Sequence, residues 1–277
     1  MAALGQYYGD PGVPLVVDGD PRDPVTAWHS QRARMHAWLD GLPDGDWGGP
    51  TRCDGWDTTL LVRHLSSATQ FLGYTLHEAS LGTATTLLQG MDTRTTVASA
   101  AELLGDRAPA DARAFLAEQD AGVDAGLTAL GDAGLLATAE APPGHLPVHL
   151  ALSHFLFDSW VHEYDLMVPR GGRPEIDPLE TRIVVGYLIG LASITAVASG
   201  APATLALRIS DPDLCIGVDV VDGLVVVTPD RTPPGAAVVE GRAADVVDRL
   251  TGRAGGTVTG DPPGLEVLDR FALVLAT

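Results

Sequence analysis

The stretch Asp-Ser-Trp-Val-His-Glu-Tyr-Asp-Leu, residues 158–166, sets three carboxylates and one histidine into a run that otherwise reads as core. Asp158 and His162 are four residues apart, so on a helix they differ by only about 40° around the axis. His154 and Asp165 fall on the same side, and Glu163 points toward the other. Phe155, Leu156, Phe157, Trp160, Val161, Tyr164, Leu166 and Met167 surround this stripe with apolar surface. A helix that is apolar nearly all round is buried, so its polar groups need partners.

Two chemistries suit the pair. In one, Asp158 accepts a hydrogen bond from His162 and the contact is structural. In the other, both are ligands of one divalent metal ion, because side chains at i and i+4 can converge on it. A third ligand must then come from another helix. His64 is the best donor. It lies among Leu60, Leu61, Leu65 and Ala68, where a histidine standing alone reads as a satisfied core residue. A histidine on one helix facing an acid–histidine pair on another is how bundle metal sites are built. Zn²⁺ fits two nitrogens and one oxygen with an open position; Fe²⁺, Ni²⁺ and Mn²⁺ accept the same donors. Asp165, one turn beyond His162, is placed to support it. His145 and His149 form a further H-x-x-x-H among Pro142, Pro143 and Pro147 and read as the lead-in to the helix. Cys53 sits in a loop before a helix N-terminus, a setting that lowers a thiol's pKa. A nucleophilic role would also need a nearby base.

The elements that must position these residues follow from periodicity and punctuation. Helices are predicted from Pro24 to about Leu42, from Asp57 as N-cap, from Pro109 to about Leu130, from about Val148 to Val168, and over Pro178 to Ser199. They suggest an antiparallel bundle of about four helices. After Gly200 the texture changes to short β-branched runs, 203–210, 214–221, 223–229 and 236–242, with Val221-Asp222-Gly223 as a hairpin signal. A short helix over AADVVDRLTGR, a strand in GTVTGD and a closing helix complete a small α+β domain. The expected organisation is α+β: an N-terminal extension over 1–20, a helical bundle with the metal site over 21–200, and a C-terminal domain over 201–277. All eight histidines lie at or before position 162, so histidine chemistry belongs to the bundle.

Composition bounds the function. The chain has 277 residues, 45% hydrophobic, with a formal net charge of −19 and seventeen basic residues, all of them Arg. This bias fits a GC-rich genome, such as an actinobacterial one. The acidic balance argues against nucleic acid and against anionic membrane surfaces as partners. Two cysteines, Cys53 and Cys215, allow one disulfide but no secreted framework. The N-terminus lacks a signal-peptide pattern, and a cytoplasmic location is expected. The uncharged run from Ile183 to Leu207 is broken by Gly200 and Pro202, and reads as a buried helix followed by a strand.

Thr51-Arg-Cys-Asp-Gly-Trp56, followed by His64-Leu65, resembles a signature of the mycothiol-dependent maleylpyruvate isomerase family, within the DinB-like bundle superfamily. Residues 158–166 resemble its second signature, an acid before Trp-Val-His with Asp-Leu following. Residues 238–253, VVEGRAADVVDRLTGR, resemble the motif of its sterol-carrier-like C-terminal domain. The resemblance covers about residues 24–277. It implies His64, Asp158 and His162 as metal ligands, with Asp158 standing where the family usually has Glu. It implies a divalent metal, most simply zinc, and mycothiol as a thiol cosubstrate rather than a protein cysteine. The family often has Cys at the position of Cys53 without using it as nucleophile. Arg253 matches an arginine of the C-terminal motif, to which the resemblance gives a catalytic and thiol-binding role between the domains. The expected function is thiol S-transfer to an electrophilic or thiol-conjugated metabolite. Its alternatives are maleylpyruvate isomerisation, a non-enzymatic metal or small-molecule binding protein, and a structural bundle without metal.

Overall fold

The computed structural model describes residues 14–89, 104–105, 107–253 and 256–275. Residues 1–13 of the expected N-terminal extension lie outside this set. The chain folds as two units, Pro24–Glu175 and a second made of Met1–Asp23 with Ile176–Thr277.

In chain order the elements are β1 (Leu15–Val17), α1 (Asp23–Gly41), α2 (Thr58–Ser80), α3 (Pro109–Gly134), β2 (Thr138–Ala141), β3 (Gly144–Pro147), α4 (Val148–Met167) and α5 (Pro178–Ala198). Then come β4 (Leu205–Ser210), β5 (Asp213–Val221), β6 (Leu224–Pro229), β7 (Ala237–Gly241), α6 (Ala243–Leu250), β8 (Thr259–Gly260) and α7 (Pro262–Leu275).

Helices α1 to α4 form the bundle unit. Its core gathers Met35, Leu39, Leu42, Trp47, Leu61, Val62, Leu65, Ala112, Leu116 and Leu166, with Trp38, Cys53 and Trp56 packed against it. The N-terminus of α2 is capped by Asp57, whose carboxylate accepts the Leu60 N–H at 2.8 Å. A cap of this kind satisfies one of the first-turn amides that have no helical partner. Helices α2 and α3 approach closely through glycine: a Cβ added at Gly126 would meet the Leu76 Cβ at 2.9 Å, below van der Waals contact.

Helix α4 is buried on nearly every face, as its sequence predicts. Its second polar face is spent on α1. Glu163 has no exposed surface and accepts Arg34 Nε and NH2 at 2.8 Å each and Gln31 Nε2 at 3.1 Å. One turn away, the Ser159 hydroxyl donates to Gln31 Oε1 at 2.8 Å and accepts from Arg32 NH1 at 2.9 Å. Arg32 also forks onto Asp120 of α3 at 2.9 and 3.0 Å. These buried charges are tolerated because each is paired and hydrogen-bonded.

The second unit is a six-stranded mixed sheet in the order β1-β6-β5-β4-β7-β8. Strands β1 and β6 run parallel, as do β4 and β7, and the other pairs are antiparallel. The Asp222-Gly223 signal produces a two-residue hairpin. Val221 pairs with Leu224, and both turn residues have positive φ, 51° and 81°, as a type I′ turn requires.

Two boundaries differ from the sequence reading. Leu15–Val17, expected in an extension, is an edge strand of the sheet, in register with Val225–Val227. Helix α5, expected to close the bundle, belongs to the sheet unit, so the division falls at 175/176 rather than near 200. The reason lies in its composition. It is apolar around most of its circumference, and its small residues bring it down onto the strands: a Cβ added at Gly190 would meet Leu15 Cδ1 at 2.6 Å and Val227 Cγ2 at 3.2 Å. This helix is long and apolar enough to cross a membrane by composition, yet 72% of its most apolar window is buried inside the fold.

The Glu163 contacts give a direct test of the bundle. Glu163→Ala leaves Arg34 and Gln31 without their carboxylate in a buried setting. We expect a loss of about 3–5 kcal/mol in the bundle's urea transition, read by circular dichroism, with Glu163→Gln recovering part of it.

Candidate metal centre

The loop before α2 is built first by its own hydrogen bonds. Thr51 Oγ1 donates to the Trp56 carbonyl at 2.8 Å and accepts the Cys53 N–H at 3.1 Å. This closes Thr51–Trp56 into a compact turn. The turn is joined to the end of α4, where the Arg52 N–H donates to the Asp165 carbonyl at 3.1 Å. The T-x-C-x-x-W signature thus places Cys53 and Trp56 beside the polar stripe of α4.

His64 comes from the second turn of α2 and Asp158 and His162 from facing turns of α4. The three converge. His64 Nε2 lies 3.4 Å from Asp158 Oδ1 and 3.3 Å from Oδ2, and His162 Nε2 lies 3.5 Å from Asp158 Oδ1. The two imidazoles meet edge to face, with centroids 4.8 Å apart and planes at 83°. Trp56 closes over His64, ring centroids 5.4 Å apart. One ligand atom from each of the three residues lies within 4.8 Å of the others, and the side chains are only 10%, 22% and 12% exposed.

This arrangement fits a divalent cation. Two imidazole nitrogens and a carboxylate oxygen are the donors zinc takes in open sites. The short N–O separations match neighbours around one ion, and the low exposure keeps competing water out. Helix periodicity alone gives only Asp158 and His162; the fold adds His64 from 94 residues away.

The electrostatics follow the geometry. Burial would raise the Asp158 carboxyl, but the charges of His64 and His162 outweigh it and hold it well below the usual carboxylate range. Burial would lower His162, but the Asp158 carboxylate outweighs this, and hydrogen bonds to Asp158, Asp165 and Cys53 add to it, holding the imidazole well above its ordinary value. His154, one turn earlier, goes the other way: burial pushes it down to about 4, and Asp158 offsets only part. Its ring packs against Phe155 and Phe157, so His154 acts as a neutral wall.

Other candidates fall outside this group. His145 stands on β3, paired with Glu140 of β2, with Nε2 2.7 Å from the Thr85 carbonyl. His149 Nδ1 lies 3.1 Å from the Leu135 carbonyl, and burial lowers its pKa. Both histidines tie backbone together. The sequence reading missed the hairpin that carries His145, because Pro142 and Pro143 read as a loop and prove to be its two-residue turn. It also missed Glu140, a fully buried carboxylate that accepts the Leu87 and Leu88 amides at 2.9 and 2.6 Å. Cys53 and Cys215 are both free thiols. Arg253 lies in the sheet unit beyond α6, its amide donating to the Asp248 carbonyl at 2.8 Å.

A helical bundle with a buried His/Asp/His cluster, followed by a small mixed sheet, defines the class: a two-unit protein with the donor set of a bundle metal site. The family comparison makes it particular. Residues 28–167, half of the chain, match the mycothiol maleylpyruvate isomerase N-terminal domain. The chain belongs to that family. Its fold is similar to a crystal structure of the mycothiol-dependent maleylpyruvate isomerase, with a TM-score of 0.61 at 17% identity over 87% of this chain and 92% of that one. A mutant of that enzyme gives a TM-score of 0.60 at 16% identity with the same coverage. No curated protein matches the chain.

The proton on His162 must leave before its nitrogen can bind a metal. While His162 is protonated, affinity for Zn²⁺ is therefore expected to rise by about tenfold per pH unit, which competition with a chromophoric chelator at several pH values would measure. In the metal-free chain the sign reverses. The raised His162 contributes stability below about pH 6.5, lost as pH climbs through its folded value; the lowered Asp158 contributes above about pH 3.9, lost as pH falls through its own. Metal-free protein should thus melt highest in the mildly acidic range.

Proposed function

We propose that this protein is a metal-dependent enzyme that uses a low-molecular-weight thiol, mycothiol, as nucleophile toward an electrophilic metabolite. The observation that carries the reading is the convergence of His64, Asp158 and His162 in one largely buried cluster. The family supports it, since a solved structure of similar fold is that of the mycothiol-dependent maleylpyruvate isomerase.

A bound divalent ion would supply the Lewis acidity that lowers a thiol's pKa and keeps the thiolate at neutral pH. The chain's own residues do the rest. His64 and His162 present neutral nitrogen donors, and Asp158 adds a single negative charge between them. Trp56, His154 and the phenylalanines beside it limit water, which favours sulfur over hydroxide as the attacking group. Addition of the thiol across a carbonyl-conjugated cis double bond makes a single bond free to rotate. Elimination then returns the thiol and the trans isomer. Isomerisation of maleylpyruvate or a close analogue is the first reading, because the family and the solved relatives point to it. Thiol S-transfer, in which the sulfur stays attached, is the second. It is favoured by Asp158, one methylene shorter than the Glu usual in the family, which alters the space left for the adduct.

Incubating metal-loaded protein with mycothiol and maleylpyruvate separates the two. Release of fumarylpyruvate with thiol conserved supports isomerisation, and a stable thiol adduct seen by mass spectrometry supports transfer. Metal uptake with neither product would favour a binding protein. Asp158→Ala is expected to lower kcat/KM by at least about a hundredfold, several kcal/mol of lost stabilisation. Arg253, assigned to thiol binding by its motif, is expected to act on the thiol's KM: Arg253→Ala should raise it about tenfold.

A further inference from the structure

Behind His162 lies a second set of contacts that the ligand group does not use. Asp165 has no exposed surface. Its Oδ2 lies 2.9 Å from His162 Nδ1 and accepts the Cys53 thiol at 3.3 Å. Its Oδ1 accepts Arg52 Nε at 2.9 Å, and its backbone carbonyl accepts the Arg52 amide. An ionised carboxylate only accepts, so the hydrogen in the short contact must sit on Nδ1. Once His162 gives up its second proton, the lone pair therefore falls on Nε2, the nitrogen facing Asp158.

We propose that Asp165 is the positioning residue of the metal centre: it fixes the Nδ1–H form of His162, Arg52 holds the carboxylate in place, and the Cys53 thiol fills the remaining side of the same oxygen. The proposal rests on the metal reading above and adds what makes His162 a ligand. It also gives Cys53 a role. The thiol is a donor within this arrangement, packed against the bundle core. A rival occupant exists, since Cys53, His162 and Asp165 also lie close enough to share an ion. Arg52 weighs against it, because a cation placed there would sit beside a guanidinium already engaged with Asp165.

Carboxylates that support metal-bound histidines typically change metal affinity by about 10- to 100-fold when removed. The test is Zn²⁺ binding, stoichiometry and affinity together, on the full chain and on Asp165→Asn, Arg52→Met and Cys53→Ala, with the visible spectrum of the Co²⁺-loaded forms as a second readout. Wild type should bind one ion. Asp165→Asn should bind one ion at least about tenfold more weakly with an altered cobalt spectrum, Arg52→Met should fall between, and Cys53→Ala should stay within about threefold of wild type. If Asp165→Asn does not fold, Arg52→Met carries the test alone, since it leaves the carboxylate present without its guanidinium partner. Wild-type affinity in Asp165→Asn, or in Arg52→Met when that stands alone, overturns the proposal and leaves the metal reading intact. Two ions in wild type with one lost in Cys53→Ala overturns it in favour of direct ligation by Asp165 and Cys53. A wild type that binds no metal overturns the metal reading and this inference with it.

Discussion

A carboxylate held between two imidazoles dictates how α2 and α4 must meet. Asp158 lies within 3.5 Å of a nitrogen of both His64 and His162, with 22% of its side chain exposed. A charged group with so little access to solvent needs its partners in place. Sliding α2 by one turn would move His64 by about 5.4 Å and leave Asp158 with half its compensation. The register of these helices is thereby tied to the donor set, and the leucines around His64 pack in that same register.

The remaining polar groups of α4 extend the logic to its other sides. Glu163 fixes the helix against Arg34 and Gln31 of α1. Asp165 fixes it against Arg52 and Cys53 of the loop that precedes α2. Three acids in nine positions therefore have three distinct sets of partners: the imidazoles of His64 and His162 for Asp158, helix α1 for Glu163, and His162 with Arg52 and Cys53 for Asp165. Full burial of Glu163 and Asp165, and the two imidazoles flanking the part-buried Asp158, keep these sets distinct.

Much of this could be read from the sequence, and the missing parts share a cause. The stripe Asp158–His162–Asp165 and the placement of Glu163 on the other side of the helix follow from helical spacing. The Asp57 cap and the Asp222-Gly223 turn follow from local chemistry. His64 required knowing that a second helix lies opposite, which the bundle pattern and the family resemblance together supplied. The partners of Glu163 could not be read, since Arg34 and Gln31 lie about 130 residues earlier and belong to a helix whose arginines look like ordinary surface residues. Helix α5 was assigned to the bundle because its pattern says only that it is buried, and a sheet buries a helix as well as other helices do. Strand β1 is three residues long, too short to show a period.

The proposed chemistry needs a divalent ion among His64, Asp158 and His162 that receives an external sulfur. X-ray absorption on the zinc-loaded chain, before and after mycothiol is added, tests it most directly. Only nitrogen and oxygen neighbours are expected in the thiol-free protein, two of them imidazoles, and one sulfur neighbour at about 2.3 Å once mycothiol is present. A sulfur already bound without mycothiol, or none bound with it, would overturn thiol activation at this cluster.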